Sequence, residues 1–249
     1  MTRLNPAFWL VVTLVLPQPS AAQQPPPQPG PVRQFLETVG NDFKSMASRE
    51  SVPLLSTAAA LALFASPFDG TLTYSASCST FLKTTLGGWA RTAGQEWLLG
   101  GGALATYIAG RATGNTRVAG VGSDLIEAEV VAGLTTVAIK YAVNRERPDA
   151  EARSFPSGHA AGTFAVATVI QRHFGWKGAV PAYAAAALIS GARLQANSHF
   201  STDIIAGAAL GILAGRAATV EIAGARVSAS PMILPGGGAV SFSIRSARE

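Results

Sequence analysis

Apolar stretches recur along most of the chain and are separated by short polar or glycine-containing segments. Five of them cover residues 97–110, 118–143, 160–171, 178–194 and 204–215. Most are shorter than the roughly 20 residues that a helix needs to cross a bilayer. Such lengths are typical of helices that are buried or tilted within a bundle. The pattern leaves open whether the outer face of this bundle meets lipid or water.

A sixth stretch, Ser51–Phe68, carries no charge and is the best candidate for a membrane span, although Pro53 lies near its start. With it, the sequence predicts an all-α bundle of about six core helices. Ser66–Gly70 predicts a turn. Upstream, apolar residues at helical spacing between Val32 and Met46 predict an amphipathic helix that packs on the domain rather than on a membrane surface.

The N-terminal residues have the organisation of an export signal. Arg3 precedes the apolar run Phe8–Leu16, and the small residues Ser20–Ala22 follow. We therefore predict a signal peptide over residues 1–22, because so short an apolar run cannot span a bilayer. Residues 23–31 are rich in proline and glutamine and predict an extended linker.

The C-terminal tail, residues 220–249, differs from the helical domain predicted over residues 32–219. Val227–Ile233 and Ala239–Arg245 have the composition of strands, and the second alternates apolar with polar residues. Pro235–Gly238 connects them. The tail therefore predicts a short β-hairpin.

Composition narrows the possible partners. Apolar residues make up 48% of the chain and charged residues 13%, about half the charged share of an ordinary soluble domain. The net charge of +5 favours anionic partners. Because the basic residues are scattered and form no nucleic-acid-binding motif, we expect no nucleic-acid partner. Cys78, the single cysteine, excludes an intramolecular disulfide and a cysteine metal site.

Three polar clusters stand out from the apolar background, at Lys140–Pro148, Phe155–His159 and Arg193–Asp203. Lys140, Arg147 and Arg193 are cations in apolar surroundings with few acidic neighbours, and a phosphate dianion would satisfy their charge. Each residue alone has an ordinary structural explanation, such as a charge at a helix end. The combination favours a phosphate-binding site.

The second and third clusters contain groups suited to phosphoryl transfer. Ser157 can cap the following helix, where free N–H groups favour an anion and where Gly158 permits close approach. His159 would lie at the edge of this site, placed to donate a proton. His199 and Asp203 are four residues apart, so on a helix the carboxylate could fix the imidazole tautomer and leave the other nitrogen free to attack.

His173 belongs to none of these clusters. It lies in the segment Arg172–Gly175, where an apolar stretch ends. We interpret it as a charge at the C-terminus of a helix.

At these clusters the chain resembles the type 2 phosphatidic acid phosphatase (PAP2)/vanadium haloperoxidase superfamily. That signature is Lys, six residues, Arg-Pro; then Pro-Ser-Gly-His; then Ser-Arg, five residues, His, three residues, Asp. Every element has its counterpart here except the serine before Arg193, which is Ala192. In the family this hydroxyl helps to bind phosphate. So many fixed positions in order make the resemblance specific over Lys140–Gly207.

The resemblance implies a helical bundle that needs neither metal nor cofactor, and a role for each matching residue. His199 would attack phosphorus, Asp203 would orient His199, and His159 would protonate the leaving oxygen and then activate water. The phosphate would be bound by Lys140, Arg147, Ser157, Gly158 and Arg193.

These roles imply hydrolysis of phosphomonoesters or diphosphates, with phosphorylated lipids as the favoured substrates and a membrane-bound site that faces the periplasm. Three alternatives remain open at this stage. They are a soluble periplasmic acid phosphatase, a vanadium-dependent haloperoxidase, and a helical membrane protein without catalytic activity.

Overall fold

The computed structural model describes residues 31–80, 83, 87–218, 221–222, 225–234 and 237–246. The predicted signal peptide and nearly all of the predicted linker lie outside these residues. The described helices are α1 Pro31–Met46, α2 Val52–Ala65, α3 Asp69–Ser77, α4 Gly87–Ala93, α5 Glu96–Ala112, α6 Thr116–Val143, α7 Gly158–Gln195 and α8 Ser201–Ala217. The strands are β1 Glu221–Ile222, β2 Ala225–Leu234 and β3 Gly237–Ser246. The predicted all-α bundle is confirmed.

Helix α6 has clear signals at both ends. The Asn115 side chain caps its start by accepting hydrogen bonds from the amides of Arg117 and Val118, each at 3.1 Å. Asn144 ends it in the left-handed conformation at φ 48°. Lys140 therefore lies in the last turn, and the loop that follows leaves the bundle beside it.

Helix α7 consists of two halves that fold back on each other at Gly175, whose φ of 66° and ψ of −158° interrupt the helix. The Thr168 and Tyr183 hydroxyls are 2.8 Å apart, and the Phe164 and Tyr183 rings are 5.8 Å apart. The apolar stretches 160–171 and 178–194 are thus two antiparallel helices joined by a one-residue break.

Three glycines at a spacing of four residues bring α8 against the first half of α7. A Cβ on Gly207 would lie 2.4 Å from the Ser157 carbonyl oxygen, and one on Gly211 would lie 2.2 Å from that of Ala161. Gly215 packs equally closely against Thr168. Successive glycines along α8 contact successive residues along α7. The two helices are therefore parallel and begin at the same end of the bundle.

The bundle consequently has two chemically different ends. At the first, which we call the histidine end, α6 finishes and α7 and α8 begin. At the second, which we call the basic end, lie the connection 111–117, the break region 171–177 and the last turn of α8. Ser51 borders a cavity with Gly175 and Arg216, so α2 starts at the basic end. The chain before α2 therefore approaches from that end.

The outer surface is apolar around α2, none of whose residues is buried. Leu63 and Phe64 are 74% and 76% exposed. Among the described residues, one helical segment, Arg49–Ser77, has the length and hydropathy of a helix that crosses a membrane. By contrast, α1 buries Val39 and Met46 in the core, as predicted for an amphipathic helix that packs on the domain.

Two local predictions have different outcomes. The turn over Ser66–Gly70 was wrong, because a 3-10 turn at Ser66–Phe68 leads directly into α3 and the helical path continues. The C-terminal hairpin is present: β2 and β3 are antiparallel, with Val227 opposite Ile244 and Ala229 opposite Phe242.

Candidate active site

The imidazole and the carboxylate of the third cluster meet at the histidine end. His199 lies in the connection before α8 and Asp203 in the first turn of that helix, so the two do not share a helix as the spacing had suggested. His199 Nδ1 is 3.6 Å from Asp203 Oδ2, a distance longer than a hydrogen bond. Both side chains are almost fully buried. The geometry leaves Nε2 as the ring nitrogen that faces away from the carboxylate.

The Asp203 carboxylate is held by three other groups besides His199. Its Oδ1 accepts a hydrogen bond from Arg145 at 2.9 Å. Its Oδ2 accepts from the Ser154 hydroxyl and, at 2.8 Å, from the Phe200 amide. Burial by itself would raise the pKa of Asp203, but the contacts with His199, Ser154 and Phe200 outweigh burial and keep this pKa below its ordinary value. The carboxylate is therefore ionised and fixed in orientation.

A second carboxylate supports the first through Arg145. Asp69, at the start of α3, accepts hydrogen bonds from the Ser201 hydroxyl, the Thr202 amide and hydroxyl, and Arg145 at 3.0 Å. The Arg145 guanidinium also lies 4.2 Å from the centre of the Phe200 ring. Asp69, Arg145 and Asp203 thus form a continuous chain of charges from α3 to the histidine.

His159, the second residue of α7, is the other histidine at this end. Burial lowers its pKa to about 4, and the positive charges of Arg193, Lys140 and Arg147, together with His199, act in the same direction. That all of these groups influence His159 shows that the three clusters converge in space. Burial also lowers the pKa of His199, against the opposing effect of Asp203.

The cations that were predicted to bind phosphate have local partners. Arg147 is paired with Glu151 at 2.6 Å, and Lys140 Nζ donates to the Arg153 carbonyl at 2.7 Å. The expectation that too few acidic residues lie near these cations therefore fails for Arg147, although Glu151 is 69% exposed and can be displaced. Burial and the charge of Arg147 lower the pKa of Lys140 to about 8.

Ser157 and Gly158 begin α7 as predicted. The buried Ser157 hydroxyl accepts a hydrogen bond from the Ala160 amide at 3.3 Å, which caps the helix. The Ser157 amide donates to the Asp203 carbonyl at 3.0 Å, so the starts of α7 and α8 are joined directly. Gly158 lies against Glu96, because a Cβ there would be 2.9 Å from Oε1.

Ala192, which replaces the signature serine, is fully buried and packs with Ala90 and Ile189. It contributes apolar contact with α4 at this position. A serine hydroxyl is the one element of the signature that the site lacks.

The structure corrects the interpretation of His173. Its Nε2 lies 2.7 Å from Asp124 Oδ2, and both side chains are buried, so it is an internal hydrogen-bonded residue rather than a charge at a helix terminus. It lies towards the basic end, away from the other two histidines.

Sequence reasoning missed Asp69, Arg145 and Ser154. Arg145 lies inside the first cluster, and its position in apolar surroundings was a usable signal. Asp69 had none, since its segment resembles a turn and its partners are more than 70 residues away. Within the described ranges, no group of three His, Cys, Asp or Glu side chains is arranged to hold a metal ion.

The sequence region that contains these site residues can be compared with known protein families. Residues 122–224 match the sequence profile of the PAP2 superfamily, a region that includes both histidines and all three cations. The matched region covers about two fifths of the chain, and over it the chain is similar to the PAP2 superfamily.

Individual proteins are similar to parts of this chain. The chain is 36% identical over 97 residues to a lipid A 1-phosphatase from Porphyromonas gingivalis, covering 37% of this chain and 22% of the relative. The chain thus spans about a fifth of the length of that curated relative. The crystal structure of Aquifex aeolicus LpxE superposes with a TM-score of 0.52 and 23% identity, covering 61% of this chain and 94% of that one. For the phosphatidylglycerolphosphate phosphatase of Bacillus subtilis the TM-score is 0.48, at 19% identity, covering 69% and 94%.

Proposed function

We propose that this protein is a phosphatase that removes phosphate from phosphorylated lipids through a phosphohistidine intermediate. The observation that carries the proposal is the convergence of two buried histidines, one with an ionised carboxylate behind it, among three cations at one end of the bundle. Such a site supplies a nucleophile, an acid and charge stabilisation, which is what in-line transfer of a phosphoryl group requires.

In the first step, His199 Nε2 attacks phosphorus while the ester oxygen leaves. The P–N bond forms, the P–O bond breaks, and His159 gives its proton to the departing oxygen. Asp203 accepts a hydrogen bond from the Nδ1–H group of His199 and stabilises the positive charge that develops on this ring. Lys140, Arg147 and Arg193 bind the remaining phosphate oxygens, with the Ser157 hydroxyl and the Gly158 amide.

In the second step, water attacks the phosphohistidine. His159, now neutral, takes the proton of this water; the P–N bond breaks, and phosphate is released with His199 regenerated. The proton that His159 lost in the first step is thus regained, so the site returns to its initial protonation state.

A lipid substrate is supported by the surface around the site. Arg49–Ser77 presents a continuous apolar face, and its end carries Asp69, which is bonded to the start of α8. Exposed apolar residues such as Leu104, Ile108 and Leu134 also lie on α5 and α6. A phosphorylated headgroup could therefore reach the histidine end while its acyl chains remain in lipid.

The orientation we propose places the histidine end in the periplasm. The predicted export signal supports this placement.

The proposed function is tested by trapping the intermediate. Brief reaction with ³²P-labelled short-chain phosphatidate, followed by alkaline quenching, should leave label on the protein that acid removes, as a phosphohistidine requires. The label should be absent from His199→Ala. Acid-stable label, or equal label on His199→Ala, would disprove the assignment of His199 as nucleophile.

A further inference from the structure

A cavity of about 710 Å³ lies at the basic end, on the side of the molecule opposite to the two histidines. The first half of α7 carries His159 at its start and Arg172 near its end. At 1.5 Å per residue, these thirteen residues separate the two by about 20 Å. The cavity is therefore a separate space from the catalytic site.

The walls of this cavity are polar and carry more positive than negative charge. Arg172 and Arg216 contribute guanidinium groups, and Glu50 contributes the one carboxylate among the residues that line it. Hydroxyl and amide groups complete the polar lining, from Ser45, Ser48, Ser51, Thr168 and Gln171. Guanidinium and hydroxyl groups together are the donors that bind phosphate oxygens.

The rim of the cavity has the character of a membrane interface. Trp176 lines the cavity and is 73% exposed, and Phe174 nearby is 49% exposed. Lys177 lies 6.0 Å from the centre of the Trp176 ring, and Arg117 lies 5.4 Å from that of Phe174. Exposed aromatic rings beside basic side chains are typical of the level of lipid headgroups.

The apolar surface of the bundle begins at the same place. Ser51 lines the cavity and is followed directly by α2, which buries none of its residues. A ligand with a phosphate group in the cavity could lay apolar chains along α2, where Leu55 and Leu61 are exposed. Polar and apolar features thus match the two parts of one amphipathic molecule.

We propose that this cavity binds the phosphate group of an anionic phospholipid that the protein does not hydrolyse. Basic pockets between helices at the cytoplasmic side of a membrane suit anionic headgroups. The phosphodiester contacts Arg172 and Arg216, and the acyl chains lie along α2. This site goes beyond the proposed catalytic function and does not depend on it.

Calorimetric titration of the full chain in neutral detergent tests this site. The probes are dihexanoyl phosphatidylglycerol, dihexanoyl phosphatidylcholine and inorganic phosphate. Two double variants remove the same charge from opposite ends: Arg172→Gln with Arg216→Gln, and Lys140→Gln with Arg193→Gln. We expect phosphatidylglycerol to bind the basic-end variant at least tenfold more weakly than wild type, and the histidine-end variant with unchanged affinity. Phosphatidylcholine should bind wild type more weakly than phosphatidylglycerol.

Several results would overturn the proposal. Equal phosphatidylglycerol affinity in wild type and the basic-end variant would place the lipid elsewhere. Inorganic phosphate that binds as tightly as the lipid and competes with it would make the cavity a site for free anions. If the glutamine variant does not fold, Arg172→Lys with Arg216→Lys keeps the charge but removes the bidentate fork. Unchanged lipid affinity in this lysine variant would also reject the site.

Discussion

Asp203 illustrates how much of the site depends on individual polar contacts. The same carboxylate faces His199, binds Arg145 and accepts the Phe200 amide that begins α8. The sequence predicts its partnership with His199 from spacing alone. Its link to Asp69 could not be predicted, because that contact depends on how α3 docks on α8.

His159 should be needed only when the leaving group requires a proton. We predict that His159→Ala loses about 10²–10⁴-fold in kcat/KM on an alkyl phosphate. On p-nitrophenyl phosphate, whose leaving group is stable without a proton, the loss should be less than tenfold. Parallel kinetics on both substrates check this. Equal losses would show that His159 serves binding rather than proton transfer.

The lowered pKa of His159 gives a prediction of its own. With a pKa of about 4, His159 in the free protein is protonated in roughly one molecule per thousand at pH 7. Because lower pH supplies more of the acid while the lowered pKa of His199 keeps the nucleophile neutral, kcat/KM on an alkyl phosphate should rise from pH 7 to pH 5. The negative charge of bound phosphate raises the pKa of His159. The pH profile of kcat should therefore lie at higher pH than the pH profile of kcat/KM. A kcat/KM that falls over this range would contradict the roles of both histidines.

Arg145 should matter through Asp203 rather than through the substrate. Arg145→Gln leaves Asp69 and Asp203 without their shared cation, so we expect kcat to fall about 10²-fold with little change in KM, and stability to fall by about 1–3 kcal/mol. The double variant with Asp69→Asn removes one of the stranded charges and should recover part of the stability. Thermal unfolding and steady-state kinetics measure both effects. A change confined to KM would instead make Arg145 a phosphate ligand.

At the scale of elements, the apolar pattern predicted most helices but not their connections. The stretches 160–171 and 178–194 were separate, and the structure joins them through one residue, Gly175, with a positive φ. Helices α3 and α4 were missed because their sequences lack a helical apolar period. The parallel contact of α7 and α8 could not be read from periodicity, since it rests on glycines that a hydrophobic pattern does not register.

The glycine contact should be sensitive to a single methyl group. Gly211→Ala would place Cβ 2.2 Å from the Ala161 carbonyl oxygen and push α8 away from α7. We expect a loss of about 1–3 kcal/mol in stability and a parallel loss of turnover, because both histidines proposed to be catalytic lie where these helices begin. Gly133→Ala in α6 is the control, since a Cβ there meets nothing within 4 Å and should stabilise by up to about 1 kcal/mol. Thermal unfolding in detergent compares the two. Equal stability of both variants would reject the close packing of α8.

For the whole molecule, the separation of a histidine end from a basic end determines how the protein can lie in a membrane. The sequence predicted export, and the proposed periplasmic site rests on that prediction.

The exposed Cys78, the chain's single cysteine, lies directly after α3 and can report this orientation. In cells whose outer membrane is permeabilised and whose inner membrane is intact, a charged maleimide should label the wild-type protein. The same reagent should not label the double variant Cys78→Ala/Thr113→Cys. In this variant the cysteine lies between α5 and α6, at the basic end. The reverse pattern would place the catalytic site in the cytoplasm. Labelling of both would indicate a bundle that does not cross the membrane.

The most direct test of the central claim is phosphate release from short-chain phosphatidate in detergent with EDTA present. Wild type should turn over, and His199→Ala should not. His173→Gln, which changes a buried histidine at the other end, should retain turnover per folded molecule. This result would support a metal-independent lipid phosphatase that acts through His199. Turnover that EDTA abolishes, or that survives in His199→Ala, would contradict it.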